Sequence, residues 1–159
     1  MPSPLQALLD PVSLSIIGIY LTLILWEALL PARPLPRIPY WKLKGVLAFF
    51  FYFYLSTYFP LIYEKWLPSS QLFDLSGIPV VTAAGLGILL YEMGVYFWHR
   101  SMHKNHVLWR VFHQMHHSAE RLDSYGAFFF SPFDMIGFTL LGTVCFSFIL
   151  HSDVSHHGN

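Results

Sequence analysis

His99-Arg100-Ser101-Met102-His103-Lys104-Asn105-His106-Val107-Leu108-Trp109-Arg110-Val111-Phe112-His113-Gln114-Met115-His116-His117 holds six of the nine histidines in the chain. Two spacings organise it. His99 and His103 form His-x-x-x-His, and His113, His116 and His117 form His-x-x-His-His. The stretch follows an apolar run from Ile78 to Trp98 that is interrupted only by Glu92. Histidines delivered at the end of such a run read as a metal-binding cluster at the edge of a membrane.

In a helix each residue turns by about 100°, so with His99 at zero, His103 falls near about 40°, His106 near about −20° and Glu92 near about 20°. These four share one narrow face. With His113 at zero, His116 falls near about −60° and His117 near about 40°, again one face. If the apolar helix runs on past Trp98, two such faces turned together surround one centre with five imidazoles. Five exceeds the needs of one tetrahedral zinc and favours two metals or a higher coordination number, iron first. Imidazole also suits zinc, copper and nickel, so these remain open from ligand type. A zinc protease is disfavoured because Gln114 follows His113 where His-Glu-x-x-His would place its general base.

Working outward, the 159 residues are 55% hydrophobic and 11% charged, well below the roughly one quarter usual for a soluble domain. Lipid is therefore part of the solvent. The net charge is zero and no basic stripe exists, which excludes a nucleic-acid partner. Cys145 is the sole cysteine and forms no intrachain disulfide. The first ten residues lack a basic leader, so the first apolar run is expected to be kept as a membrane helix.

Three runs are long enough to cross a hydrocarbon core, at about 12–30, 45–63 and 78–98, and a shorter one at about 133–150 makes a fourth crossing possible. Pro31 to Lys44 carries Arg33, Arg37, Lys42 and Lys44 without an acid, which places this loop on the cytoplasmic side. The connector after the second run, with Pro68-Ser69-Ser70 as a turn, then lies on the opposite side, and the third run brings His99 back to the cytoplasmic one. The fold expected is all-α, a multi-pass helical bundle forming one membrane domain over 1–159. A cytosolic, histidine-rich helical cap spans 99–123.

Each feature also has a plainer reading. His106 by itself is more often an interfacial hydrogen-bonding side chain. Glu92, costly to bury in a span, needs a metal-bound histidine or a basic group as partner, or else faces a wet cleft. Trp98, Trp109 and Tyr96 suit interface anchoring.

The residues resemble those of the fatty acid hydroxylase and sterol desaturase superfamily of integral membrane enzymes. The matching positions are Tyr96-Phe97-Trp98-His99-Arg100-Ser101-Met102-His103, Leu108-Trp109-Arg110 and His113-Gln114-Met115-His116-His117-Ser118. Glu92, seven before His99, and Pro132-Phe133-Asp134 after the second box also look like the family pattern, although members often have a histidine where Ser131 stands. The resemblance implies a non-haem centre of two irons on the cytosolic side, held by His99, His103, His113, His116 and His117. It further implies O2 as co-substrate, a lipid substrate whose C–H bond is hydroxylated or desaturated, and an external electron donor such as a reductase, cytochrome or ferredoxin. Glu92 and His106 would support the site or add a ligand.

A third histidine box, present well downstream in the family, has no clear equivalent here. Sixteen uncharged residues from Met135 to Leu150 cross a bilayer once and cannot cross and return, so a true span there carries His151, His156 and His157 to the far side. His156 and His157 stand in for the missing box only if that segment stays at the interface. The simplest expectation is a truncated or altered relative of a longer family member. Two rival readings are a catalytically inactive chain that keeps the membrane fold and a b-type haem electron-transfer protein. Haem asks for axial ligands from opposed helices and has no use for adjacent His116 and His117.

Overall fold

The structure is a computed structural model that describes residues 1–66, 72–75 and 77–151. The Pro68-Ser69-Ser70 turn and His156 and His157 lie outside the described residues. A short helix α1 (Pro4–Leu9) opens the chain, with Ser3 and Gln6 exchanging side-chain and backbone hydrogen bonds as a capping box. Asp10 then caps α2 (Pro11–Leu29) by accepting from the Val12 and Ser13 N–H groups, with Pro11 in the first turn where its missing N–H costs nothing.

α2, α3 (Trp41–Tyr63) and α4 (Val80–Lys104) are each long and apolar enough to cross a membrane. α3 begins four residues before the apolar run suggested, because Trp41 to Lys44 already form its first turn. Pro60 sits in its last turn, where one lost hydrogen bond does little harm. α4 does not stop at Trp98. It runs six residues further to Lys104, and this extension carries the first histidine pair on a rigid helix.

Only 6% of the most apolar stretch of α2 is buried within the protein, so its surface is completed by lipid rather than by a thick core. What packing exists is concentrated on one stripe of α3. Trp41, Gly45, Phe49 and Phe53, each four residues apart, are the buried positions of that helix. Phe49 stacks on Tyr20 of α2 at 4.2 Å between ring centroids and meets Phe128 edge-on at 5.1 Å. Phe128 closes a 3-10 turn (Ser124–Phe128) in the chain that follows the histidines, so this aromatic cluster pins that chain to α2 and α3.

At Gly45 two backbones approach closely. A Cβ there would fall inside the van der Waals radius of the Tyr125 backbone carbonyl. Backbone cannot move aside as a flexible side chain can. Gly45→Ala is therefore expected to destabilise the bundle by about 1–3 kcal/mol, the usual cost of overpacking. Thermal unfolding of detergent-purified protein should show a lower midpoint, whereas Gly18→Ala, where nothing lies within 4 Å, should not.

The fourth apolar segment departs from a simple span. α7 (Pro132–Thr143) is twelve residues, about 18 Å at 1.5 Å per residue, and is shorter than a crossing. A π-helical stretch (Val144–Ile149) prolongs it, after which Leu150–His151 pairs in parallel with Phe73–Asp74. That two-residue ladder lies in the connector between α3 and α4, at the end of the bundle away from His99. The run thus starts beside the histidines and finishes at the other end, taking the His151 backbone with it.

Candidate metal centre

Asn105 makes the site possible. Its backbone is extended, its N–H closes the last turn of α4 on Ser101, and its side-chain oxygen accepts from the Val107 and Leu108 N–H groups at 2.9 and 3.1 Å. One residue thereby ends one helix and caps the next, and the chain folds back on itself. The return path is α5 (His106–Leu108), a π-helical turn (Trp109–His113) and α6 (Gln114–His117). Such π-turns reset which side chains share a face, and they occur often at functional sites.

Four histidines converge. His99 and His103, one turn apart on α4, bring their Nε2 atoms to 2.9 Å, and His113 and His117 bring theirs to 3.1 Å. One ring nitrogen from each lies within 4.8 Å of those of the other three. His116 is not among them. Its ring is half-buried and stacks on Phe130 at 4.6 Å, with its centroid 5.3 Å from that of His113. His106 is exposed on α5, beside a cavity that also touches His103, and Glu92 is exposed on α4 about two turns before His99.

His113 is the anchor of the set. It has no exposed surface, and its Nδ1 lies 3.2 Å from Oδ2 of Asp134, which is equally buried. The carboxylate fixes the ring by accepting from Nδ1–H, so Nε2 presents its lone pair to the other imidazoles. Burial, helped by the neighbouring His99, His117 and His103, holds the His113 pKa down to about 4. At neutral pH His113 is therefore uncharged, as a metal ligand must be. His116 is shifted in the same direction, chiefly by burial and then by His113 and His117.

Asp134 is placed by local chemistry. Ser131 caps α7 by accepting from the Asp134 N–H at 3.1 Å, and its hydroxyl donates to the Phe112 carbonyl at 2.6 Å, in the π-turn that carries His113. One serine thus ties the acid and the histidine to a common frame. Gly137, one turn on, lets Trp98 pack close against α7, since a Cβ there would come within 3.1 Å of the indole. Phe112 meets Trp98 edge-on at 5.2 Å, and Met102, beside His103 in the chain, is fully buried.

The sequence pattern pointed to Asp134 through Pro132-Phe133-Asp134 without giving it a task. Its partner, Ser131, stood out only as a departure from the family pattern, and nothing local marked Asn105 as the hinge.

Four imidazole nitrogens in mutual reach, one of them oriented by a buried carboxylate, suit a divalent transition metal, and their chemistry fits iron as well as zinc. Neither the curated proteins nor the solved structures provide a match to this chain. The sequence model of the fatty acid hydroxylase family does match, from residue 84 to residue 157, across the end of α4, both histidine boxes and α7. The match is in keeping with the resemblance of these residues to the fatty acid hydroxylase and sterol desaturase superfamily.

Proposed function

We propose that the protein is a membrane-bound oxidoreductase with a non-haem centre of two irons, which uses O2 to hydroxylate or desaturate a C–H bond of a lipid. The observation that carries this reading is the convergence of His99, His103, His113 and His117 on one point, with Asp134 behind His113. These four would hold one metal. His116, beside them, is the natural start of a second position, to which Glu92 or His106 would contribute only after rearrangement, while His156 and His157 lie outside the described residues. The histidine face is assigned to the cytosolic side, where the loop with Arg33, Arg37, Lys42 and Lys44 lies at the same end of the bundle.

Iron, when bound, supplies the activation of O2 toward an unactivated C–H bond, with electrons from an external reductase, cytochrome or ferredoxin. The chain's own residues do the positioning. Asp134 keeps the proton of His113 on Nδ1 and so keeps Nε2 free. Trp98, Phe112 and Met102 exclude water from the buried side of the histidines, and α4 and α7 hold the two boxes in register. The cavity bordered by His116 and His117 gives a lipid access from the open side. A b-type haem fits poorly, since four ring nitrogens within 4.8 Å leave no room for a macrocycle between them.

The test is metal and turnover on one sample. Detergent-purified protein should contain iron by elemental analysis. Given a reductant and a lipid mixture, it should consume O2 while a lipid gains one oxygen atom or loses two hydrogens by mass spectrometry. A Soret band, or bound zinc with no O2 uptake, would overturn the assignment.

A further inference from the structure

The open side of the centre leads into a specific recess. A cavity of about 600 Å3 is lined by His116 and His117 and also by Arg33, Pro34, Leu35 and Leu122. Those last four residues also wall a second cavity of about 270 Å3, which extends to Lys42, Tyr125 and Glu27. The two spaces adjoin through this common wall. Arg33 stands at the junction.

The charges along this path are not equivalent. Arg121 is engaged, donating to Asp123 at 2.8 Å and to the Pro36 carbonyl at 2.7 Å, so it serves to fasten the 31–36 loop over the recess. Asp123 is fully occupied by Arg121, the Trp41 indole and the Gly126 N–H. Glu27, which also lines the smaller cavity, accepts from the Ser124 N–H at 2.7 Å. Glu120 is exposed at the rim of the larger cavity. Arg33 and Lys42 remain. Neither has an ion pair or hydrogen bond among the described residues, and Lys42 has only the Tyr125 ring, 5.6 Å away.

The level in the membrane matters too. Both cations sit between the end of α2 and the first turn of α3, where a lipid headgroup meets the hydrocarbon region. Between them and the histidines, Pro34, Leu35, Ala119 and Leu122 give an apolar wall suited to methylene groups.

We propose that this double cavity is the headgroup subsite of the enzyme, and that it selects lipids with an anionic headgroup, a carboxylate or a phosphate, bound by Arg33 and Lys42. The inference rests on the proposed lipid oxidation for its purpose, not for its binding chemistry. The headgroup lies in the smaller cavity and the chain passes Leu35 and Leu122 towards His116 and His117. The carbons presented to the centre are then those near the polar end of the lipid.

Binding is measured on the protein as purified in neutral detergent, its iron content determined in parallel, with radiolabelled oleate, oleoyl lysophosphatidate and oleyl alcohol, which share one chain. The two anionic lipids should bind about tenfold more tightly than the alcohol, as loss of a charge-assisted contact implies. Arg33→Gln should remove most of that difference and Lys42→Gln part of it. Arg37→Gln and Lys44→Gln, basic neighbours that wall neither cavity, should leave it intact.

Equal affinity for the alcohol would overturn the proposal. So would an Arg37→Gln loss as large as that of Arg33→Gln, which would mean general attraction to a basic surface. Displacement of oleate by inorganic phosphate at equal concentration would also overturn it, assigning the cavity to a free anion. If anionic lipids bind through Arg33 while the protein neither holds iron nor consumes O2, the headgroup subsite stands and the oxidase reading falls.

Discussion

The double variant His113→Ala, His117→Ala is expected to purify as a folded membrane protein with almost no bound metal and with lipid oxidation at background. It removes two of the four converging nitrogens, including the one whose tautomer is fixed. Two imidazoles one turn apart on α4 are too few for tight binding of a divalent transition metal, since even open catalytic sites keep three protein ligands. The variant leaves the Asp134 carboxylate buried without its imidazole partner, so circular dichroism and gel filtration must accompany the metal analysis. Gln114→Ala is the matching control, because that side chain lies beside His113 in the chain but is exposed and offers no imidazole to the cluster. Full metal content in the double variant, or equal loss in the control, would remove His113 and His117 from the centre.

Asp134→Asn is expected to weaken metal binding by about 10–100-fold while keeping the fold. The amide retains the shape of the carboxylate and an oxygen that accepts from the His113 Nδ1–H, but it lacks the charge that makes Nε2 a stronger ligand. Its NH2 group also allows the wrong tautomer of His113. Competition with a chelator of known affinity gives the change directly. Asp134→Ala should do more harm, leaving a buried N–H without an acceptor at a cost of about 1–3 kcal/mol. An unchanged affinity in the asparagine variant would mean that the 3.2 Å contact is structural only.

These two experiments separate what binds metal from what orients the binder. They also bear on His116. If the parent holds two irons per chain, His116 must leave Phe130 or a further ligand must arrive from outside the described residues. The His151 backbone is tied to Asp74 at the opposite end of the bundle. A chain that holds a single metal would be explained by the four histidines alone.

Much of this architecture is written in composition. Three apolar runs with at most one charge each, about as long as a bilayer is thick, leave few folds available, because backbone polar groups in lipid must be satisfied within the segment. The two histidine boxes are legible for a similar reason. Imidazoles one helical turn apart point the same way whatever surrounds them, so His99 with His103 and His113 with His117 form pairs by local geometry.

What local geometry does not decide is which pair faces which. That depended on Asn105, which ends α4 and starts the return, and on the π-turn Trp109–His113, which directs His117 to the centre while His116 turns to Phe130. An ideal α-helix placed His116 on the shared face. The packing of Phe130 selected otherwise. The partnership of His113 and Asp134 joins residues twenty-one positions apart through a serine cap on a separate helix. The path of the fourth apolar segment was likewise settled by a backbone pairing of Leu150–His151 with Phe73–Asp74 rather than by hydropathy. The sequence by itself determined the membrane helices and the histidine pairs, because both follow from short-range periodicity. Only the tertiary structure decided which four histidines converge, the buried carboxylate behind His113 and the cavity beside His116 and His117, because each is a contact between segments that periodicity does not relate.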